Sequence, residues 1–490
     1  MLILLLAAAL GYQDLVTLFG EWRAMQKPAS YAPQVLAAQR AQLAAMQKRL
    51  LAIDPRAWPV HQQVDYAVVR AEMNGLDFDF RVLKPWARDP AFYMTVFADE
   101  TDQPAREGPH AEGMIDLSKP LDDTVPGKLA AIPALLTQAQ ANLASSNARD
   151  LWTSSVLDVK GQIAALAQLK AQPKYAAAAQ RAIDATTAYL KWIEEQAPSK
   201  TGPSGIGVEN YDWYLANVQM VPYTWAQEVL LMERELARSR ALLKLEEEHN
   251  RGLPELQPVA SAGEHERVFA AAVSRYMQLL QNVLTVKPWM EPAMQSHVGQ
   301  FSPTRDFFTE VDYRDPEVMR THGYHWIDLA RMVQEPNPDP IRRGPLLYNI
   351  FNTRTEGFAT AMEELMMTQG LCDGRPRCRE LIYILIAQRA ARALGDLRMQ
   401  SNQFSYEQAV KFACENTPRG WLRPSGQTVW FEQHLFLEQP AYGTSYLIGK
   451  MEFDQILARW PGTLKQFMDE KDAIGLIPAS LVRWEMTGEH

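Results

Sequence analysis

Apolar residues recur three and four positions apart along most of the chain, with Ala, Leu, Gln and Lys filling the positions between them. This spacing places apolar side chains on one face of an α-helix, and the filler residues are good helix formers. The segments in which the pattern is clearest are 31–53, 128–146, 156–172, 224–249 and 264–286. Alternating apolar and polar positions, which are typical of strands, are scarce, and 91–99 is the best candidate. The sequence predicts a mainly α protein with very little β structure.

The chain of 490 residues is too long for one small core, so a large two-lobed body is expected. A stretch rich in Pro, Gly and Ser at 196–210 is the best candidate boundary. It divides an N-terminal helical lobe, 12–200, from a C-terminal helical lobe, 201–490.

The charge pattern bears on the class of partner. The formal net charge is −9, and no long block of Lys and Arg is present. Binding of nucleic acid requires clustered cations that neutralise phosphates, so nucleic acid is not an expected partner.

The first ten residues are apolar, which is too few to span a bilayer but matches the core of a secretory signal. Residues 1–11 are therefore interpreted as a signal-peptide remnant, or alternatively as a buried first helix. Cys372 and Cys378 flank a tight loop in which a disulfide would be stable in an oxidising compartment. Cys414 is expected to be a buried thiol. These features favour a periplasmic or secreted protein, with the cytoplasm as the alternative, and no transmembrane span is expected.

Two histidines lie close together after a strong helix start, Asp315-Pro316, which combines an N-cap acceptor with proline at the first helical position. The positions that share one helical face from there are Val318, His322, His325, Leu329 and Met332. Both histidines therefore point inward with the apolar side chains. They are candidates for a hydrogen-bonded core pair, for metal ligands or for a role in proton transfer.

A second helix is predicted from Pro345 to Gly370. Gly357 in its interior costs roughly 1 kcal/mol relative to alanine, which indicates close approach of another element. The neighbouring Glu356 is then semi-buried and needs a partner, which could be a metal, Arg354 or a histidine. Further along the chain, Tyr442 and Tyr446 lie four apart as another helix begins. They could donate to an oxyanion or simply pack at the base of that helix.

Several phrases resemble those of the bacterial domain-of-unknown-function 885 family (DUF 885). "TEGFATAMEEL" resembles the family's EGWALYAEEL, and "PAYGTSYLIGKMEF" resembles PGQALSYKIG. "AQRAARALGDLRMQSNQFSYEQAVKFACENTP", "DAIGLIPASLVRW" and "GVENYDWYLANV" resemble three further family phrases in the same order. The family is mostly helical, often exported and similar to zinc metallopeptidases of the gluzincin type. The resemblance therefore implies a gluzincin-like helical body around a deep central cleft.

The family's metal phrase, HE-x-x-PGHH, is altered in this chain. Aligned without gaps, its HE pair falls on Val318-Met319, and one of its histidine positions is occupied by Tyr324. The resemblance implies that zinc, if bound, is held by a set consisting of His322, His325 and Glu356.

Further roles are assigned to residues near this set, of which Tyr446 matches a tyrosine of the family phrase. Tyr446 would stabilise an oxyanion, Glu363 or Glu364 would act as the general base, and a peptide or small amide would be the substrate. The candidate substrate-binding residues are Tyr324, Trp326 and Tyr442. The alternative is a catalytically inactive member that keeps the cleft for binding a peptide or a small ligand.

Overall fold

Helices make up nearly all of the regular structure, as the periodicity predicts. The computed structural model describes residues 11–25, 27–98, 109–348 and 352–489. The interpretation of 1–11 as a signal-peptide remnant falls almost wholly outside these residues. Within them, no helix is both long and apolar enough to cross a membrane.

The α-helices in chain order are α1 Tyr12–Met25, α2 Pro33–Leu51, α3 Val60–Phe78, α4 Pro85–Arg88, α5 Val125–Leu143, α6 Arg149–Lys170, α7 Ala176–Gln196, α8 Val208–Tyr214, α9 Trp225–His249, α10 Ala262–Leu280, α11 Met290–Ser296, α12 Phe307–Asp312, α13 Pro316–His322, α14 Tyr324–Gln334, α15 Thr355–Thr368, α16 Cys378–Gln400, α17 Tyr406–Asn416, α18 Thr428–Glu438, α19 Tyr442–Arg459, α20 Leu464–Ile474 and α21 Ala479–Thr487. Short π-helical turns follow α3 and α8 at Asp79–Leu83 and Leu215–Gln219, and 3-10 turns lie at Ala91–Tyr93, Ala197–Ser199 and Pro418–Gly420. The five segments with the clearest periodicity correspond to α2, α5, α6, α9 and α10. The mainly α class is confirmed.

The predicted strand at 91–99 is largely wrong. Its first residues form the 3-10 turn, and the strand itself, β1, covers only Val96–Phe97. β1 pairs in parallel with β2, Ile115–Asp116. Side chains 91–96 are all buried, so this segment packs inside the protein and does not alternate between buried and exposed positions.

The predicted helix start at Pro345 is also wrong, because α15 begins at Thr355. The backbone N–H groups of Leu347 and Tyr348 donate to the carboxylate of Glu72 on α3, at 2.9 and 3.0 Å. A carboxylate from a distant helix thus binds amides that a local pattern assigns to a helical turn. The predicted helix end is close, since α15 stops at Thr368, two residues before Gly370.

One cluster of buried apolar side chains extends from Leu15 to Val482 and so draws on both predicted lobes. The two-lobed division and the deep cleft stay predictions. The disulfide between Cys372 and Cys378 is present, whereas Cys414 is half-buried and not fully buried.

The helix α16 begins at this disulfide and is buried on every face, apart from a few positions. A helix surrounded by protein has no solvated side for its charged residues, so each of them needs a partner inside. Arg389 pairs with Glu363 on α15, and Arg392 pairs with Glu432 on α18. These pairs tie the helices that surround the candidate site to α16.

The helices α15 and α19 cross at two glycines. A Cβ atom added at Gly357 would lie 2.4 Å from the Cα atom of Gly449, which confirms the close approach expected from the sequence. This crossing brings the start of α15, with Glu356, against the start of α19, with Tyr442.

A buried carboxyl group on α9 makes stability depend on pH. Glu228 is fully buried and accepts a hydrogen bond of 3.1 Å from the Tyr211 hydroxyl. Burial raises the pKa of Glu228 to about 8, although the hydrogen bonds with Thr444 and Tyr211 oppose the shift. The folded chain therefore holds this proton more tightly than the unfolded chain does.

We expect the free energy of unfolding to fall as the pH rises from about 4.5 to about 8, because the unfolded chain releases the Glu228 proton in this window while the folded chain still binds it. Glu228→Gln should flatten the profile and stabilise the protein at pH 8.5, as measured by urea denaturation at several pH values. The control is Glu233→Gln on the same helix, where the side chain is 51% exposed and the profile should match that of the parent. An unchanged slope in Glu228→Gln would contradict the assignment.

Candidate functional site

The two predicted histidines lie on different helices. The predicted continuous helix over both is wrong, because α13 ends at His322, α14 begins at Tyr324, and Gly323 joins them. A Cβ atom at position 323 would lie 2.8 Å from the Met294 sulfur, so the chain turns where α11 packs closely against it. The predicted N-cap is confirmed, since the Asp315 side chain accepts from the Glu317 N–H.

The imidazole of His322 lies between two buried carboxylates. Its Nε2 is 3.4 Å from Glu356 Oε2, and its Nδ1 is 3.3 Å from Glu363 Oε1. Beyond them, the Tyr442 hydroxyl donates to Glu356 Oε1 at 3.0 Å, and Arg389 binds Glu363 through both terminal nitrogens at 2.7 and 2.8 Å. Cationic and anionic groups thus alternate in the order Arg389, Glu363, His322 and Glu356. We call these five residues the His322 bridge.

The bridge distinguishes the two candidate bases. Glu363 contacts His322, whereas Glu364 forms ion pairs with Arg238 and Lys450 at 3.0 and 2.7 Å. It also shows which of the predicted partners Glu356 has. His322 contacts Glu356, whereas Arg354 pairs with Asp328 at 2.6 Å.

The protonation states of the site follow from these contacts. Burial and the charge of Arg389 oppose the charged form of His322, but the contacts with Glu356 and Glu363 outweigh them and raise its pKa. Burial also opposes the charged form of Glu356, yet the hydrogen bond from His322 lowers the pKa of this carboxyl to about 2. The two carboxylates therefore favour the charged form of His322, with one carboxylate beside each ring nitrogen.

His325 differs from its neighbour. Its ring centroid is 5.2 Å from that of His322, and it is buried. Burial lowers its pKa to about 3, so it is neutral at physiological pH. Within the described part of the chain, its Nδ1 is buried without a hydrogen-bond partner. His325 is thus an unsatisfied polar group beside the bridge.

The predicted zinc ligands do not form a ligand group as arranged here. A metal site needs at least three ligand atoms close together. Among the described residues, His322, His325 and Glu356 do not form a group whose ligand atoms all lie within 4.8 Å of one another. Both nitrogens of His322 already face carboxylates, and a metal ligand must present a free lone pair. This arrangement does not fit the implied ion, and the zinc site stays a prediction.

A cavity of about 310 Å³ opens beside the bridge. Of the predicted site residues, His322, His325, Trp326, Tyr442 and Tyr446 line it. Trp326 stacks on His297, with 3.8 Å between ring centroids, and Tyr446 stacks on His322 at 5.9 Å. The other lining residues are Met294, His297, Phe308, Met319, Arg320, Gly323, Arg389, Arg392, Thr428, Phe431, Glu432, Leu435 and Phe436.

The charged groups of the cavity are mostly cationic. Three arginines, Arg320, Arg389 and Arg392, line it together with one carboxylate, Glu432. Arg392 lies over the Tyr446 ring, 4.2 Å from its centroid, while it pairs with Glu432. Two of these arginines, Arg389 and Arg392, belong to the phrase "AQRAARALGDL", but no role was predicted for them. Their signal is two cations three apart, shortly after the apolar run 381–387.

Tyr324 does not line the cavity. It is fully buried, and its hydroxyl donates to Asp472 Oδ2 at 2.9 Å. Adjacent residues on a helix point about 100° apart, and Tyr324 points into the core while His325 lines the cavity. The predicted substrate-binding role of Tyr324 is not supported by this position, in which the tyrosine packs in the core.

Two solved structures resemble the whole chain. A proposed lipoprotein of unknown function from Shewanella oneidensis matches with a TM-score of 0.70 and 15% identity, covering 98% of this chain and 100% of that one. A proposed lipoprotein from Colwellia psychrerythraea matches with a TM-score of 0.68 and 13% identity, covering 98% and 99%. The chain shares their fold. No family model matches it, and no curated protein does so either. The likeness to DUF 885 therefore stays a resemblance of short phrases.

Proposed function

We propose that the chain is a binding protein whose cavity takes up a small ligand that carries a carboxylate, such as the end of a peptide. The observation that carries this proposal is the His322 bridge. Both nitrogens of His322 are engaged by buried carboxylates, so the histidine acts as a cationic support for the cavity and is not available as a metal ligand.

The lining chemistry offers N–H donors to an anionic ligand. Three arginines and His322 line the cavity, each of them beside the carboxylate with which it pairs. Aromatic rings of Trp326, Tyr446 and Phe436 supply apolar surface on the same cavity. A volume of about 310 Å³ lies at the small end of the range for ligand pockets, which runs from about 300 to 1,000 Å³.

We also propose that the protein is exported from a bacterial cell. The two solved relatives in fold are described as proposed lipoproteins, and the disulfide between Cys372 and Cys378 suits an oxidising compartment.

A second candidate is a zinc-dependent peptidase or amidase. The observation in its favour is His325, whose buried Nδ1 has no hydrogen-bond partner within the described residues and lies next to His322. For this function His322 would have to release a carboxylate and turn with His325 and Glu356 towards one ion.

Binding is tested with N-acetyl amino acids and the matching N-acetyl amino acid amides, by calorimetry and thermal shift. We expect the acids to bind and the amides, which lack the carboxylate, to bind at least tenfold more weakly. Trp326→Ala should weaken binding of the acids, whereas Val333→Ala on the same helix, where the side chain is 78% exposed, should leave it unchanged. Equal binding of acids and amides would overturn the proposal.

The hydrolase candidate has a separate readout. Elemental analysis of protein purified without chelator or metal-affinity resin would be compared with His325→Ala and Glu356→Gln. Zinc that is present in the parent and lost in both variants would favour the hydrolase over the binding protein.

A further inference from the structure

A second cluster of metal-ligating side chains lies away from the cavity. Asp89 follows α4, Asp158 lies on α6, and His434 and Glu438 lie on α18. None of these residues lines the cavity beside the His322 bridge. The ligand atoms of Asp89, His434 and Glu438 lie within 4.8 Å of one another, and the first two side chains are buried.

The histidine of this cluster is oriented by a carboxylate. His434 Nδ1 lies 2.8 Å from Asp158 Oδ2, and its Nε2 lies 3.4 Å from Glu438 Oε1, one helical turn along α18. A histidine that binds a metal through one nitrogen usually donates its other N–H to a carboxylate, which holds the ring in position. Asp158 lies in ion-pair contact on that side of the ring, and Nε2 faces Glu438 within the cluster.

Three buried atoms of the cluster have no hydrogen bond within the described residues. They are His434 Nε2, Asp89 Oδ2 and Asp158 Oδ2. The side chains of His434 and Asp89 are each 2% exposed. The other oxygen of Asp89 is already used, because Oδ1 accepts from the Ala91 N–H at 2.9 Å. A buried lone pair and a buried carboxylate oxygen are costly unless something satisfies them.

The charge balance favours a cation. Three carboxylates surround one imidazole, so even a protonated His434 leaves the four residues with formal charge −2. A ligand set of one imidazole nitrogen and two carboxylate oxygens is one that zinc accepts in proteins.

We propose that Asp89, His434 and Glu438 bind a structural zinc ion, with Asp158 as the residue that positions His434. The ion would join the segment after α4 to α18, which are far apart in sequence. The opposite face of α18 contributes Glu432 and Phe436 to the cavity. The zinc would therefore stabilise α18, which lines the cavity, without contacting the small molecule bound in the cavity.

The test uses the full chain after dialysis against a chelator. Zinc chloride is titrated in with a competing zinc indicator, and cobalt chloride is titrated separately with visible absorption as the readout. We expect one equivalent of zinc to bind and to raise the melting temperature. Glu438→Gln, which keeps size and removes a ligand charge, should weaken zinc binding more than tenfold, and Asp158→Asn should weaken it by about 10–100-fold.

The controls separate this site from the cavity. His325→Ala and Glu356→Gln should bind zinc like the parent, whereas His434→Gln should not bind it. If His434→Gln fails to fold, Glu438→Gln still decides the result, because its side chain is at the rim and partly exposed. Absence of zinc binding in the parent, or binding that Glu438→Gln leaves unchanged, would overturn the proposal and leave a cluster that shares protons.

Discussion

Replacement of Glu363 by glutamine is expected to lower the free energy of unfolding by about 3–5 kcal/mol, the usual cost of removing one partner from a buried ion pair. Glu363 is fully buried between Arg389 and His322. The substitution keeps the volume of the side chain but leaves a buried guanidinium and an imidazolium without their shared anion. Urea denaturation at pH 7, followed by circular dichroism, measures the loss.

The next residue supplies the control. Glu364→Gln also removes a carboxylate from α15, but the Glu364 side chain is 18% exposed and its partner Lys450 also pairs with Asp454, so a smaller loss is expected. The double variant Glu363→Leu with Arg389→Met should recover much of the loss, since apolar replacement of both partners removes the unpaired charge. Equal losses for Glu363→Gln and Glu364→Gln would contradict the His322 bridge.

Substitution of Gly357 by alanine is expected to cost about 1–3 kcal/mol or more, as overpacking of a core does. The added Cβ would meet backbone atoms of Gly449 at 2.4 and 2.8 Å, and backbone cannot swing aside as a flexible side chain can. The helices α15 and α19 would have to move apart. Because Glu356 and Tyr442 lie on these two helices, their 3.0 Å hydrogen bond would be strained as well.

Gly161→Ala, in the interior of α6, is the matched control. No atom lies within 4 Å of the added Cβ there, so alanine should stabilise that helix by roughly 0.5–1 kcal/mol. Differential scanning calorimetry of both variants gives the comparison. If Gly357→Ala melts no lower than Gly161→Ala, the close crossing of α15 and α19 is incorrect.

Local sequence patterns were sufficient wherever the physical cause is itself local. The 3.6-residue period predicted the long helices, and the Asp315-Pro316 pair predicted the start of α13. Gly357 indicated a close helix crossing because a glycine in a helix has a cost that packing must offset. The short spacing between Cys372 and Cys378 likewise permitted the disulfide that the structure contains.

Only the tertiary structure decided which groups the buried charges meet. The backbone amides of Leu347 and Tyr348 donate to Glu72, a residue about 275 positions earlier. The helix predicted to begin at Pro345 therefore begins at Thr355. Arg354 binds Asp328, and His322 takes both Glu356 and Glu363.

The second cluster follows the same rule. Asp89 and His434 meet through the packing of distant segments, and no spacing in the sequence marks them as a pair. Helical periodicity arises from contacts three and four residues apart, so a sequence states it directly. The partner of a buried ion depends on which distant segments pack together, and that information belongs to the whole folded chain.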